Sequence, residues 1–140
     1  MPTLLEVHAD YQGGMRLIAG DDDHSVIVDY PLEAGQTVEG LTPLKLLLVS
    51  LAGCAGNTIP LLLARRGQKV SGFQVIARAQ RRDEHPTVLT QIDVEFVLRG
   101  AELDRDVVER CIALAEERLC PVWAMLRPTT PISTSYRIEV

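Results

Sequence analysis

Polar and apolar residues alternate along both ends of the chain, and between them runs one stretch that is apolar on almost every side. Residues 4–10 set Leu5, Val7 and Ala9 against Glu6, His8 and Asp10. Met15, Leu17 and Ala19 alternate with Arg16 and Ile18, and residues 25–30 are rich in β-branched side chains. A period of two marks a strand, and Gly13-Gly14 and the polar run 20–23 read as turns. Three short strands so linked predict an antiparallel meander. Residues 31–41 form a loop, and the pattern then changes. Thr42 can cap a helix and Pro43 suits its first position, while Arg65, Arg66 and Gly67 are stop signals. Residues 42–66 therefore predict a helix of about 24 residues, roughly 36 Å long at 1.5 Å per residue. Its apolar surface predicts burial on most sides. Pro60 cannot donate to the carbonyl of Gly56, which predicts a kink or a freed carbonyl there.

Beyond Gly67, residues 70–80 read as a strand and 81–86 as a turn. Val88, Thr90, Ile92, Val94, Phe96 and Leu98 then alternate with Gln91, Asp93 and Glu95, the cleanest strand pattern in the chain. Asp104 caps a helix with the inner face Val108, Cys111, Ile112, Ala115 and Leu119. Pro121 stops or restarts it, 122–127 form a further short helical turn, and Ile132, Thr134, Tyr136, Ile138 and Val140 alternate in a closing strand. The order β-β-β-α-β-β-α-β clusters its strands, which predicts an α+β fold with antiparallel sheets around a long buried central helix.

The 140 residues fit one domain, 1–140, with a core of its own. A net charge of −5 argues against a nucleic-acid surface. The N-terminal residues lack the basic-then-apolar pattern of a signal peptide. The central helix carries Ser, Asn, Pro and Lys, so no membrane span is read there. Three cysteines, an odd number without an export signal, point to the reducing cytoplasm. There is no Cys-x-x-Cys, His8, His24 and His85 are scattered, and no Gly-rich phosphate loop occurs, so neither metal nor cofactor is expected.

The chemistry then rests on the thiols. Cys54 sits mid-helix with Ser50 one turn before it and Asn57 and Thr58 one turn after, a short polar stripe among Ala52, Gly53, Ala55 and Gly56. It reads either as an inert core thiol at a close helix crossing or as a reactive thiol in a dry pocket. Cys111 falls on an apolar face and reads as core. Cys120 precedes Pro121, which puts its sulfur at a helix N-cap facing the N–H groups of Val122 and Trp123. Thiols so placed have a lowered pKa, although a helix-ending cysteine without chemistry has the same sequence. A Cys-His-Asp hydrolase using His24 and Asp29 is a weaker arrangement of the same residues.

The run Leu-Thr-Pro-Leu-Lys-Leu-Leu-Leu-Val-Ser-Leu-Ala-Gly-Cys and the later Cys-Pro-Val at Cys120 resemble the two cysteine motifs of the OsmC/Ohr family, in matching element order over almost the whole chain. Asp23-His24-Ser25 with Asp29 resembles its YhfA-type branch. The resemblance implies an intertwined homodimer with two long central helices packed together. It also implies a peroxidatic role for Cys54 and a resolving role for Cys120. Peroxidase members carry a Glu directly after the helix-start Pro, which holds an Arg from the N-terminal sheet against the thiolate. Here that position is Leu44, and Arg16 falls roughly where the Arg would.

The reading is a thiol-dependent peroxidase acting on organic hydroperoxides, with hydrogen peroxide as a secondary substrate. A Cys54 sulfenic acid would condense with Cys120 and be reset by a dithiol reductant, with Arg16 as the activating charge. His24, Ser50, Leu47, Leu51, Trp123 and Met125 are candidate pocket residues, with His24 equally a solvated turn residue and the apolar ones equally core. The rival reading, supported by Leu44, is a non-enzymatic thiol sensor or small-ligand binder.

Overall fold

A computed structural model describes residues 2–140, which divide into two units at Leu46/Leu47, within the central helix. In the first unit β1 (His8–Tyr11), β2 (Leu17–Gly20) and β3 (Ser25–Val28) form the predicted antiparallel meander, in the order β1-β2-β3. The first strand begins later than the alternation suggested. Gly13 and Gly14, both at positive φ, make the first turn, and Gln12 N–H donates to the Arg16 carbonyl across it. That turn sets Arg16 immediately before β2. Beyond β3, Asp29 N–H donates to the Leu41 carbonyl, and Val28 bridges Leu41, so the loop 31–40 is closed at its base. Thr42 then caps α1 (Pro43–Gly56): its Oγ1 accepts from Lys45 N–H. Val7, Tyr11, Val26 and Ile27 of this unit stand exposed, and the buried apolar set of the chain begins only at Leu51.

The second unit holds the core. The central helix is in two pieces, α1 and α2 (Ile59–Arg65), parted at Asn57 and Thr58 as the missing Pro60 donor predicts. Gly67 at positive φ ends α2. By length and composition the run Pro43–Arg65 could cross a bilayer. In this unit, however, Leu51, Ala55, Ile59, Leu62 and Leu63 pack into the core with Ile92, Val94, Phe96 and Leu98. The expected all-round burial does not occur in the single chain: Val49 and Leu61 are 53% and 52% exposed.

β4 (Gly72–Arg81) pairs antiparallel with β5 (Leu89–Arg99), whose apolar face is buried as its alternation requires. β6 (Ile132–Glu139) lies on the other edge of β5 and runs parallel to it. This corrects the expectation of purely antiparallel sheets. A parallel partner needs a long crossover, and α3 (Arg105–Leu114), a π-helical turn (Ala115–Leu119) and α4 (Pro121–Leu126) supply it. Asp104 caps α3, accepting from Asp106 and Val107 N–H. The polar face of the sheet carries an ion-pair ladder, Arg78–Glu95–Arg137–Glu139–Arg99, at 2.9–3.2 Å. Exposed pairs of this kind add little stability individually.

Candidate active site

The crossover ends where the chemistry begins. The widened π turn is closed by Cys120 N–H donating to the Ala115 carbonyl, at 3.0 Å. Cys120 itself has extended backbone, Pro121 takes the first position of α4, and the Cys120 Sγ accepts from Trp123 N–H at 3.3 Å. The N-cap placement read from Cys-Pro is therefore as expected. The acidity inferred from it is not, because Cys120 is only 3% exposed. Burial pushes its pKa from 9.0 up to about 11, aided by a hydrogen bond with the Cys54 side chain, and the N–H groups of Trp123 and Val122 offset only part of this.

Thus two thiols that stand far apart in sequence touch within the second unit. All three cysteines are free; Cys54 is half-buried, whereas Cys111 is fully buried in the core. One turn beyond Cys54, Thr58 Oγ1 is buried with no hydrogen-bond partner among the described residues. On the adjoining face of α1 an open apolar groove of about 410 Å³ runs between Val49, Gly53, Gly56 and Pro60 on the helices and Phe73 and Val75 on β4.

The other candidate residues are spread more widely. Leu51 and Trp123 are core side chains packed in the same cluster as the two thiols. Leu47 is half-buried, Ser50 is exposed, and Met125 is 77% exposed. His24 lies on the exposed turn between β2 and β3, where its Nδ1 is 3.7 Å from Asp21. Arg16, in the first unit, is held by two carboxylates: its Nε donates to Asp29 Oδ2 at 3.3 Å and its Nη1 lies 3.4 Å from Glu39 Oε2. The sequence reading had not assigned Asp29 and Glu39 to Arg16, nor Gly53, Gly56, Phe73 and Val75 to a groove. A carboxylate directly after the apolar run 26–28 was the available signal for the first, and the small-residue face of α1 for the second.

The model of the OsmC-like protein family matches residues 35–135. The chain belongs to that family. Among known proteins, Protein YhfA of Escherichia coli (strain K12) is 29% identical over 97 residues, covering 69% of this chain and 72% of that protein. Among solved structures, the OsmC-like protein of Mycoplasma pneumoniae superposes with a TM-score of 0.85 at 17% identity over the whole of both chains. The organic hydroperoxide resistance protein OhrB of Bacillus subtilis superposes with a TM-score of 0.62 at 22% identity, over 94% of this chain and 96% of its own. This OsmC-like chain therefore shares its α+β fold with proteins named for hydroperoxide resistance.

Proposed function

We propose that this OsmC-like protein is a thiol peroxidase for organic hydroperoxides, with Cys54 attacking and Cys120 resolving. The contact between the Cys54 and Cys120 side chains carries the proposal. Cys54, the more accessible thiol, attacks the peroxide as thiolate. The S–O bond forms as the O–O bond breaks, the alcohol leaves after taking a proton, and Cys54 becomes a sulfenic acid. Cys120 then attacks the Cys54 sulfur and hydroxide departs. A thiol with its pKa near 11 reaches this step still carrying the proton that turns hydroxide into water. The disulfide is reduced by a cellular dithiol, which supplies two electrons and two protons. Arg16 is the proposed activating charge for the Cys54 thiolate on the family resemblance alone.

The working form is a homodimer in the cytoplasm. Val49 and Leu61 on the central helix, and separately Tyr11 and Ile27 on the small sheet, are exposed apolar side chains that a second copy would cover. The groove beside α1 suits an apolar peroxide better than hydrogen peroxide, since its lining offers mostly hydrocarbon.

The test is one equivalent of cumene hydroperoxide followed by peptide mapping. An intramolecular Cys54–Cys120 disulfide is expected. Cys120→Ser should trap a dimedone-reactive sulfenic acid at Cys54, and Cys54→Ser should abolish peroxide consumption. If both thiols stay reduced, or the disulfide joins two subunits through Cys111, the peroxidase reading fails and the sensor or ligand-binding reading replaces it.

A further inference from the structure

We propose that Glu116 is the positioning residue for Cys120, bracing the turn that presents its sulfur to Cys54. This rests on the reading above that Cys120 resolves the oxidised Cys54. The need for a brace comes from the backbone. The π turn moves the Cys120 N–H onto the Ala115 carbonyl. The next carbonyl, that of Glu116, would then look to residue 121, which is proline and has no N–H. Cys120 itself leaves the helix in extended conformation. The ladder that would fix the junction of α3 and α4 is thus interrupted just where the thiol enters. Turns of this π type are rare and concentrate at functional sites.

Glu116 is held instead from two other elements, at its carbonyl and at its side chain. Arg127, at the C-terminal end of α4, reaches back across the turn and donates from Nη2 to the Glu116 carbonyl at 2.6 Å. From β6, Thr134 Oγ1 donates to Glu116 Oε1. Thr134 stands two residues from both Ile132 and Tyr136, which pack against the core, so it shares their face of the strand. A hydroxyl and a carboxylate that are both half-buried are costly unless bonded, and here each satisfies the other. Residue 116 is thereby tied to the sheet and to the end of α4, with Cys120 between the two helical segments that it joins. Arg127 is exposed, so the half-buried bond from Thr134 is the firmer of the two.

The brace acts on the second chemical step. The experiment adds one equivalent of cumene hydroperoxide in the presence of a fixed concentration of dimedone. Peptide mapping then gives the ratio of Cys54–Cys120 disulfide to dimedone adduct at Cys54. Misplacing a reacting group by about 1 Å can cost about a hundredfold in rate, so Glu116→Ala and Thr134→Val should each lower this ratio by about tenfold or more. The sulfenic acid still forms and lasts longer. Glu116→Gln keeps an oxygen for the Thr134 hydroxyl and should stay within about threefold of wild type. Lost stability alone does not move the ratio in a variant that is folded at the assay temperature. Oxidised glutathione gives an arm free of peroxide. The Cys54 thiolate attacks it and releases one glutathione thiolate; Cys120 then displaces the second from the mixed disulfide, and its proton goes to the departing sulfur. The two electrons end on glutathione, and the ratio of internal to mixed disulfide reads the placement of Cys120.

A ratio equal to wild type, or higher, for either Glu116→Ala or Thr134→Val overturns the assignment of Glu116 and leaves the peroxidase reading standing. If wild type forms the disulfide with glutathione but not with peroxide, the peroxidase reading falls and the glutathione ratios alone decide on Glu116. No disulfide from either oxidant overturns both. If Glu116→Ala does not fold, Thr134→Val decides, because valine keeps the β-branched shape and removes only the hydroxyl.

Discussion

At Gly56 the helix bearing Cys54 packs tightly against β4, and replacing it by alanine puts a number on that contact. An ideal Cβ on Gly56 would lie 2.4 Å from Val75 Cγ2 and 3.3 Å from Phe73 Cε2. Carbon atoms in contact prefer about 3.5–4.0 Å, so the first distance is more than an ångström too short. Val75 has one side-chain torsion and cannot fold its methyl away within its rotamer. Either it leaves that rotamer or α1 and β4 move apart, and overpacking of this kind costs about 1–3 kcal/mol. Alanine is intrinsically the better helix former by up to about 1 kcal/mol, but Gly56 is the last residue of α1, where less of that gain is realised. Gly56→Ala should therefore destabilise the protein by about 1–2 kcal/mol. Val75→Ala alone should cost about 1–2 kcal/mol, and the double variant should be more stable than the sum predicts by about 1 kcal/mol or more. Urea unfolding followed by the fluorescence of Trp123, the only tryptophan and a core residue, measures all four proteins. Protein concentration must be held fixed, because subunit association would move the midpoint. A Gly56→Ala midpoint equal to wild type, or additive effects in the cycle, would refute the account of the contact.

Three further outcomes are expected. Leu61→Glu places a charge on the exposed apolar face of α2 and should yield a folded monomer where the wild type sediments as a dimer; a monomeric wild type ends the dimer proposal. Because folding raises the Cys120 pKa from 9.0 to about 11, the stability linked to its protonated thiol is complete below pH 9 and is lost as pH rises towards 11. The reduced protein should lose more stability than Cys120→Ser over that range in thermal melts, and parallel curves would contradict the burial argument. Cys111→Ala should cost about 1 kcal/mol or somewhat more through a small core cavity and leave peroxide consumption intact, since Cys111 is fully buried and does not line the groove; loss of consumption would mean that the three thiols are misassigned.

Local rules carried the sequence reading as far as local rules reach. The caps at Thr42 and Asp104, the turn at Gly13-Gly14, the break caused by Pro60 and the buried face of β5 each depend on a few neighbouring residues, and each was legible. Partner choice was not. The alternation in 132–140 identifies a strand but carries no information about the edge it joins or the direction it runs, and the parallel pairing with β5 went unread. The acidity of Cys120 failed for a related reason: its helix N-terminus is visible in sequence, but its burial and its contact with Cys54 are products of the fold. Asp29 follows an ordinary β-branched strand, and although a carboxylate there stands out, the residues of 25–30 do not name Arg16 as its partner. The exposed face of α1 and α2 reads in sequence as buried, because hydrophobicity specifies that a surface must be covered and leaves open by which chain.

The parallel placement of β6 also governs the order in which the second unit can be assembled. β4 and β5 are joined by a short turn and can zip together as soon as both exist. The far edge of β5 must wait until α3, the π turn and α4 have been made and folded back. Contacts this remote in sequence form late. Throughout that interval the middle strand, with Ile92, Val94, Phe96 and Leu98, presents an unpaired β edge, and an apolar strand in that state pairs readily with other unfinished chains. A chain cut short anywhere in α3 or α4 is fixed in that state, so aggregation rather than a soluble fragment is the expected fate of truncation there.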